Sequence, residues 1–381
     1  MNGDVAESRE LISVLLATFN ESTYIERCVN SLLNQQISDF DLEVLAIDGK
    51  SVDGTREILE KIAARDSRVR LLVNEERKIP FAFNLGLQEA KGKYVCIFGA
   101  HTLYRKDYIA VCLKELIAHH AVGCGGRVVT LPSDETTQAL LVAWAMGHPF
   151  GSSRKSFRTQ AEGYVDTVNY PIMRREALLE VGGYDVQLAR NEDNDISQRL
   201  RARGYRLFCT WKTQSLYHPK GKVKDLLWYA SRNGFWNVVS LERNFESMGA
   251  RHFVPFLFLV GMIISFLLAT LGAVLPTQYR LAFGLPLVAL LGVYMCLGLI
   301  AALQVAIREK SLSAMCLPLV FLGFHVAYGV GTLAAFVGHL KLLLVLPECL
   351  MTRNARIRMA MSLSRSNRLT RNGQSSDARR P

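Results

Sequence analysis

The chain has 381 residues, half of them hydrophobic, and a formal net charge of +11, enough for one large domain plus membrane segments. Eight cysteines with no CxxC pair and no regular spacing exclude a disulfide scaffold or a zinc site and fit a reducing compartment. The basic residues are dispersed until the final stretch and come with no base-stacking or groove-reading motif, so nucleic acid is not an expected partner.

The first ten residues (1–10, MNGDVAESRE) are polar and acidic and lack the apolar core of a signal peptide, which predicts that the following domain stays in the cytoplasm. Residues 11–17 form an apolar, β-rich run. The turn Thr18-Phe19-Asn20-Glu21 follows, then an amphipathic stretch over 24–34. A second buried strand over 42–47 ends at Asp48. Residues 55–64 read as helix, 69–73 as strand, 82–90 as helix and 94–98 as strand. This alternation predicts a parallel sheet covered on both faces. Open sheets of that kind bind ligands beyond the carboxyl ends of their strands, where Thr18, Asp48 and the turn Gly99-Ala100-His101 all fall.

Asp48 opens a tight turn that also holds Gly49, Asp53 and Gly54. Its carboxylate suits hydrogen bonds from a nucleobase imide or a ribose hydroxyl, while Ser51, Asp53 and Thr55 suit the capping of the next helix. A second block, 123–218, mixes short strands and loops and contains the acidic knot Asn191-Glu192-Asp193-Asn194-Asp195 at a helix start. Acids in a first helical turn are favoured by the dipole, so capping explains part of the knot. A carboxylate delivered there by the Gly182-Gly183 turn could also take a proton from an attacking hydroxyl.

Residues 223–243 read as a helix rich in Trp and Tyr, either interfacial or amphipathic and packed. Three later stretches, 253–275, 281–303 and 314–337, are each long enough at roughly 20 residues to cross a bilayer. Three crossings from the cytoplasm would leave the Arg-rich tail outside, against the positive-inside rule. Either one segment is re-entrant, or 340–346 adds a partial crossing, or the rule loses here. The expected organisation is thus a catalytic domain over 11–222, an interfacial helix over 223–250, a membrane region over 251–346 and a basic tail over 347–381. That tail is either a solvated, disordered end or attracted to anionic lipid headgroups.

In order along the chain stand Ala17-Thr18-Phe19-Asn20-Glu21, Asp48-Gly-x-Ser-x-Asp-Gly-Thr55, Asn84-x-Gly86-x3-Ala90-x-Gly92, Gly182-Gly-Tyr-Asp185 and Asn191-Glu192-Asp193. This ordered set resembles the family 2 glycosyltransferases over about 11–245, in particular the membrane-bound exopolysaccharide type similar to the succinoglycan glycosyltransferases. The resemblance implies an α/β GT-A fold, a nucleotide-sugar donor and inversion at the anomeric carbon. By position it makes Asp193 the general base with Glu192 beside it, and sets Thr18, Asn20, Glu21, Asp48 and Ala100 around the nucleotide. UDP is the nucleotide it favours.

The chain departs from the family pattern in two places. Where the family carries Asp-x-Asp, which helps hold Mn²⁺ or Mg²⁺ on the diphosphate, this chain has Gly99-Ala100-His101. Either His101 and His218 serve a metal, with Mn²⁺ tolerating imidazole better than Mg²⁺, or Lys220, Lys222 and Arg232 neutralise the diphosphate. Processive members carry Gln-x-x-Arg-Trp, and here the comparable place reads Tyr229-Ala-Ser-Arg232-Asn233. The arginine is kept for the diphosphate, while the missing Gln and Trp favour a single addition.

The expectation is therefore a multi-pass protein of the inner (plasma) membrane. Its partners would be a nucleotide-sugar donor, a polyprenyl-linked saccharide acceptor and membrane lipids. A catalytically inactive GT-A-like scaffold and a processive polysaccharide synthase are the alternatives.

Overall fold

The computed structural model describes residues 9–345. The tail 347–381, residues 1–8 of the polar N-terminal segment and the end of the 340–346 stretch lie outside the described residues. Four strands open the chain: β1 (Glu10–Thr18), β2 (Phe40–Asp48), β3 (Val69–Val73) and β4 (Tyr94–Gly99). Between them run α1 (Ile25–Leu33), α2 (Thr55–Arg65) and α3 (Ile79–Glu89). The four pair in parallel in the order β3-β2-β1-β4.

Alternate residues of β1 enter two different cores. Ile12, Val14 and Leu16 pack toward α1 and α2 with Ile25, Cys28 and Leu59. Leu15 packs on the other face with Leu45, Ile47 and Phe83 of α3. Burial on both faces is why these strands read as unbroken apolar runs rather than as an alternation.

The sheet then turns mixed. After β5 (Thr102–Tyr104) and α4 (Tyr108–Ala118) come β6 (Gly123–Thr130), α5 (Thr137–Gly147), the short α6 (Pro149–Ser152), β7 (Gly163–Val165), β8 (Ile172–Arg174), α7 (Arg175–Glu180), α8 (Glu192–Ala202) and β9 (Leu207–Tyr217). The order continues β4-β8-β6-β9-β5, with β7 also on β9. The β4–β8, β8–β6 and β9–β5 pairings are antiparallel and β6–β9 is parallel.

A third core joins the domain to the C-terminal helices α9 (Val223–Arg243), α10 (Val254–Val274), α11 (Thr277–Glu309) and α12 (Leu317–Val345). Trp144 and Leu141 of α5, Leu226 and Ala230 of α9, Tyr294 and Ala302 of α11 and Phe321 of α12 meet there. Helix α9 buries Leu226, Ala230, Gly234, Asn237 and Val238 along one face, while Trp228 and Phe235 remain exposed. It packs on α12 at Gly331, where any side chain would run into the Ser231 backbone, and Thr332 Oγ1 donates to the Gly234 carbonyl at 3.1 Å.

Three helices, Ala250–Val274, Thr277–Glu309 and Leu312–Gly338, are long and apolar enough to cross a membrane. One compact unit runs to Leu333, and a second, Ala334–Pro381, holds the last part of α12 among the described residues.

Candidate functional site

Thr18 and Asp48 end β1 and β2 and are paired in register, and Ala17 is paired with Gly99 at the end of β4. The three turns singled out in the sequence therefore sit side by side. The first two are laced together. Gly49 N–H donates to the Thr18 carbonyl at 2.9 Å, Asn20 N–H to Ser51 Oγ at 2.9 Å, and Val52 N–H to Asn20 Oδ1 at 3.0 Å. Asp53 accepts from the Thr55 hydroxyl at 2.6 Å and from the Ser22 amide at 3.0 Å. That hydroxyl bond, with the amides of Ser22 and Thr55, holds its carboxyl below the ordinary range.

Asp48 is fully buried and accepts the Ser51 hydroxyl at 2.6 Å. Thr18 and Ala100 are also buried. Among the expected nucleotide residues, Glu21 and Arg232 line the large cavity described next, whereas Thr18, Asn20, Asp48 and Ala100 are not part of its lining.

That cavity has a volume of about 1330 Å³. Its lining includes Glu21, His101, Glu192, Asp193 and His218 together with Phe258, Tyr294 and Phe324 of α10, α11 and α12. Glu192 and Asp193 are the first residues of α8, launched from Asn191, whose φ of 62° turns the chain sharply into the helix. Burial, then the neighbouring Asp193, pushes the Glu192 carboxyl up to about 7. Asp193 is also raised by burial, but the Asn194 amide, donating at 2.9 Å, and the charge of Arg158 favour its ionised form. The two carboxylates share one site and titrate as a pair.

The third acid of the knot does something else. Asp195 is buried, accepts Arg199 Nη2 at 2.6 Å and Asn244 Nδ2 at 2.9 Å, and so pins α8 to the end of α9. Asn191 Nδ2 donates to Asn237 Oδ1 at 3.0 Å and Ser240 Oγ at 3.2 Å, and Asn237 in turn donates to the Tyr328 hydroxyl of α12. From the opposite side, Asn84 bonds both the amide and the carbonyl of Tyr184, each at 2.8 Å. Two of the sequence motifs thus clasp each other to aim the acidic pair.

His101 Nδ1 lies 3.2 Å from Glu21 Oε1. His218 stacks on Tyr24 at 6.5 Å. Its pKa is lowered by burial, then by the positive charges of Arg27 and His101. By themselves these residues do not make up a full ligand set for Mn²⁺ or Mg²⁺. Among the described residues no group of three or more His, Cys, Asp or Glu is placed to hold an ion. A Cβ added at Gly99 would lie 2.9 Å from Tyr170 Cε1, so an aromatic ring fills the space that the family's first acid would need.

Sequence reasoning missed Arg158 and Arg190. The Arg158 guanidinium lies 4.2 Å from the Phe157 ring, 5.1 Å from Tyr217 and 6.0 Å from Tyr229. That of Arg190 lies 5.1 Å from Tyr229 and donates to Asn233 Oδ1. Arg190 stands directly before the acidic knot, which was a readable signal. Arg158 had none beyond its neighbours Arg154 and Lys155.

The model of the family described as Glycosyl transferase family 2 matches residues 13–182. The Succinoglycan biosynthesis protein ExoA of Rhizobium meliloti is 30% identical over 246 residues, 64% of this chain and 73% of that protein. The dolichyl N-acetyl-alpha-D-glucosaminyl phosphate 3-beta-D-2,3-diacetamido-2,3-dideoxy-beta-D-glucuronosyltransferase of Methanococcus voltae is 26% identical over 310 residues, 75% and 94% of the two chains. Among solved structures, the mannosyltransferase PcManGT from Pyrobaculum calidifontis, in complex with GDP-Man and Mn²⁺, matches with a TM-score of 0.51. It does so at 18% identity over 85% of this chain and 88% of that one. The fold is GT-A, as the resemblance implied.

Proposed function

Since the chain belongs to glycosyl transferase family 2, we propose that it is a membrane-bound inverting enzyme that adds one sugar to a lipid-linked saccharide. The donor is a nucleotide-sugar, UDP-linked, and the product enters surface or exopolysaccharide assembly. Asp193 takes the proton of the acceptor hydroxyl as that oxygen bonds to the anomeric carbon. The bond from that carbon to the diphosphate breaks on the opposite face, and the nucleoside diphosphate leaves with its electron pair.

The observation that carries this reading is the shared cavity: the acidic pair, Glu21 and Arg232 line one space that ends among three apolar helices. Positioning and charge neutralisation supply the rate in such a site. Asp193 suits the base because its bonding environment favours the anion, while Glu192, with its carboxyl at about 7, is half protonated near neutrality. Arg232 and Lys220 line the cavity and suit neutralisation of the departing diphosphate. Thr18, Asn20 and Asp48 are proposed to meet the nucleotide through the turns they brace, with a base or ribose replacing the Ser51 hydroxyl on Asp48.

The printed name of the archaeal relative, a dolichyl-linked sugar transferase, supports a lipid-linked acceptor. The three apolar helices support a multi-pass membrane protein, and the inner membrane with a cytoplasmic catalytic domain is proposed with it. The test is nucleoside diphosphate release by the protein in detergent, across a panel of nucleotide-sugars and with added membrane lipid extract, with and without EDTA. Turnover with one donor, lost in Asp193→Asn, is expected. Binding of donors without turnover under every condition would favour the inactive scaffold.

A further inference from the structure

We propose that Arg158 and Arg190, whose guanidinium groups lie 6.0 Å and 5.1 Å from the Tyr229 ring, form the seat for the phosphate head of the lipid that carries the acceptor. This rests on the lipid-linked acceptor reading above and gives that acceptor its binding residues.

The first support is an imbalance of charge. Nearby arginines are matched: Arg199 with Asp195, Arg243 with Asp185, Arg251 with Asp166. Among the described residues Arg158, Arg190 and Arg232 have no such carboxylate. Arg158 Nε is also buried without a hydrogen-bond partner. Arg158 feels the charge of Asp193 and Arg190 that of Glu192, but the Arg158 Nε donor is left unpaired, and a buried unpaired donor is costly enough to favour an anion in the working complex. Planar guanidinium forks suit phosphate oxygens in a bidentate way that a lysine cannot copy.

Both cations act on the Tyr229 phenol. Burial alone would raise the Tyr229 phenol, yet the charge of Arg158, a bond to Asn233 and the charge of Arg190 bring it below its ordinary value. An anion placed there meets two cations, with the carboxylates of Glu192 and Asp193 as the neighbouring negative charge.

Placement decides between the donor's diphosphate and the lipid's. The segment before Arg158 is tied to the apolar helices. His148 Nε2 lies 3.1 Å from Gln304 Oε1 of α11, and the Phe150 ring lies 5.0 Å from Phe321 of α12. Arg190 is held by Asn233 of α9, the helix packed on α12. The same cavity is lined by Phe258, Tyr294 and Phe324 of the apolar helices, rings suited to an isoprenoid chain. The donor end, at Glu21 and His101, has its own cavity-lining cations in Arg77 and Lys78.

The experiment is calorimetric titration of the full-length protein in detergent with farnesyl diphosphate, farnesol, inorganic diphosphate and UDP. Wild type is expected to bind farnesyl diphosphate more tightly than either farnesol or inorganic diphosphate. Arg158→Gln and Arg190→Gln are each expected to weaken it about ten-fold or more while UDP affinity holds. Arg158→Lys and Arg190→Lys, which keep charge and bulk, are expected to lose part of the affinity and serve where a glutamine variant does not fold. Unchanged farnesyl diphosphate affinity in the variants would overturn the seat, and so would a parallel loss of UDP binding, which would give these arginines to the donor. If wild type turns over a donor but binds no farnesyl diphosphate, the lipid-linked acceptor itself is wrong.

Discussion

The Tyr170 ring stands where a side chain at position 99 would have to go: a Cβ on Gly99 would lie 2.9 Å from Tyr170 Cε1. Restoring the acid of the family pattern should therefore strain the core rather than build a metal site. Gly99→Asp is expected to destabilise the protein by about 1–3 kcal/mol through overpacking. Thermal melting in detergent reads this directly, and a melting point equal to wild type would mean that Tyr170 moves aside freely.

Asp193 and Glu192 should separate on mutation. Asp193→Asn is expected to lower transfer by about 10²–10⁴-fold, the usual range for loss of a general base, with donor affinity retained. Glu192→Gln should cost less, because only the anion of Asp193 is asked to take the proton. Comparing kcat for the two variants decides the assignment, and the reverse ranking would exchange their roles.

Glu192 also makes a pH prediction for stability. Its carboxyl is raised from 4.5 to about 7 on folding, so the folded state holds this proton more tightly than the unfolded chain. That contribution is fully present below about pH 4.5 and is lost as pH rises through about 7. Glu192→Gln should flatten the fall in stability across this window, with Asp193, also raised, keeping a share of it. Melting curves between these pH values, run on both proteins, would expose an identical slope if the idea is wrong.

Asp195 should behave as a structural residue despite its place in the acidic knot. Asp195→Ala strips a carboxylate from Arg199 and Asn244 and is expected to cost about 3 kcal/mol. A variant that melts like wild type yet has no turnover would instead put the third acid in the reaction.

What could be read in advance was local. Strands β1 to β4 announce themselves because burial on both faces leaves continuous apolar runs, and their last residues mark the ligand edge without any knowledge of pairing. The pair Glu192-Asp193 was visible because chemistry and helix start coincide there. The Arg158–Tyr229 contact joins residues 71 positions apart, and the stacking of Tyr170 over Gly99 is equally remote, so no window of sequence contains either. Asp48 reads as a ligand residue because a strand end exposes a carboxylate in principle; only the folded turn shows it closed on Ser51. Helix α11 runs beyond the apolar stretch 281–303 because Thr277, Gln278, Arg308 and Glu309 continue the backbone ladder where apolar counting stops.

The hydrogen bonds from Asn191 through Asn237 to Tyr328 fasten the start of α8 to a helix suited to the bilayer. On the proposed assignment, the acidic pair that opens α8 is thereby held at a fixed place relative to that helix. An acceptor of the proposed kind, anchored by its own hydrophobic tail, would have to span that distance with its sugars. Too short a glycan cannot reach the base, and too long a one must fold back on itself. The enzyme would in that way count the sugars already on the carrier with a ruler made of its own helices.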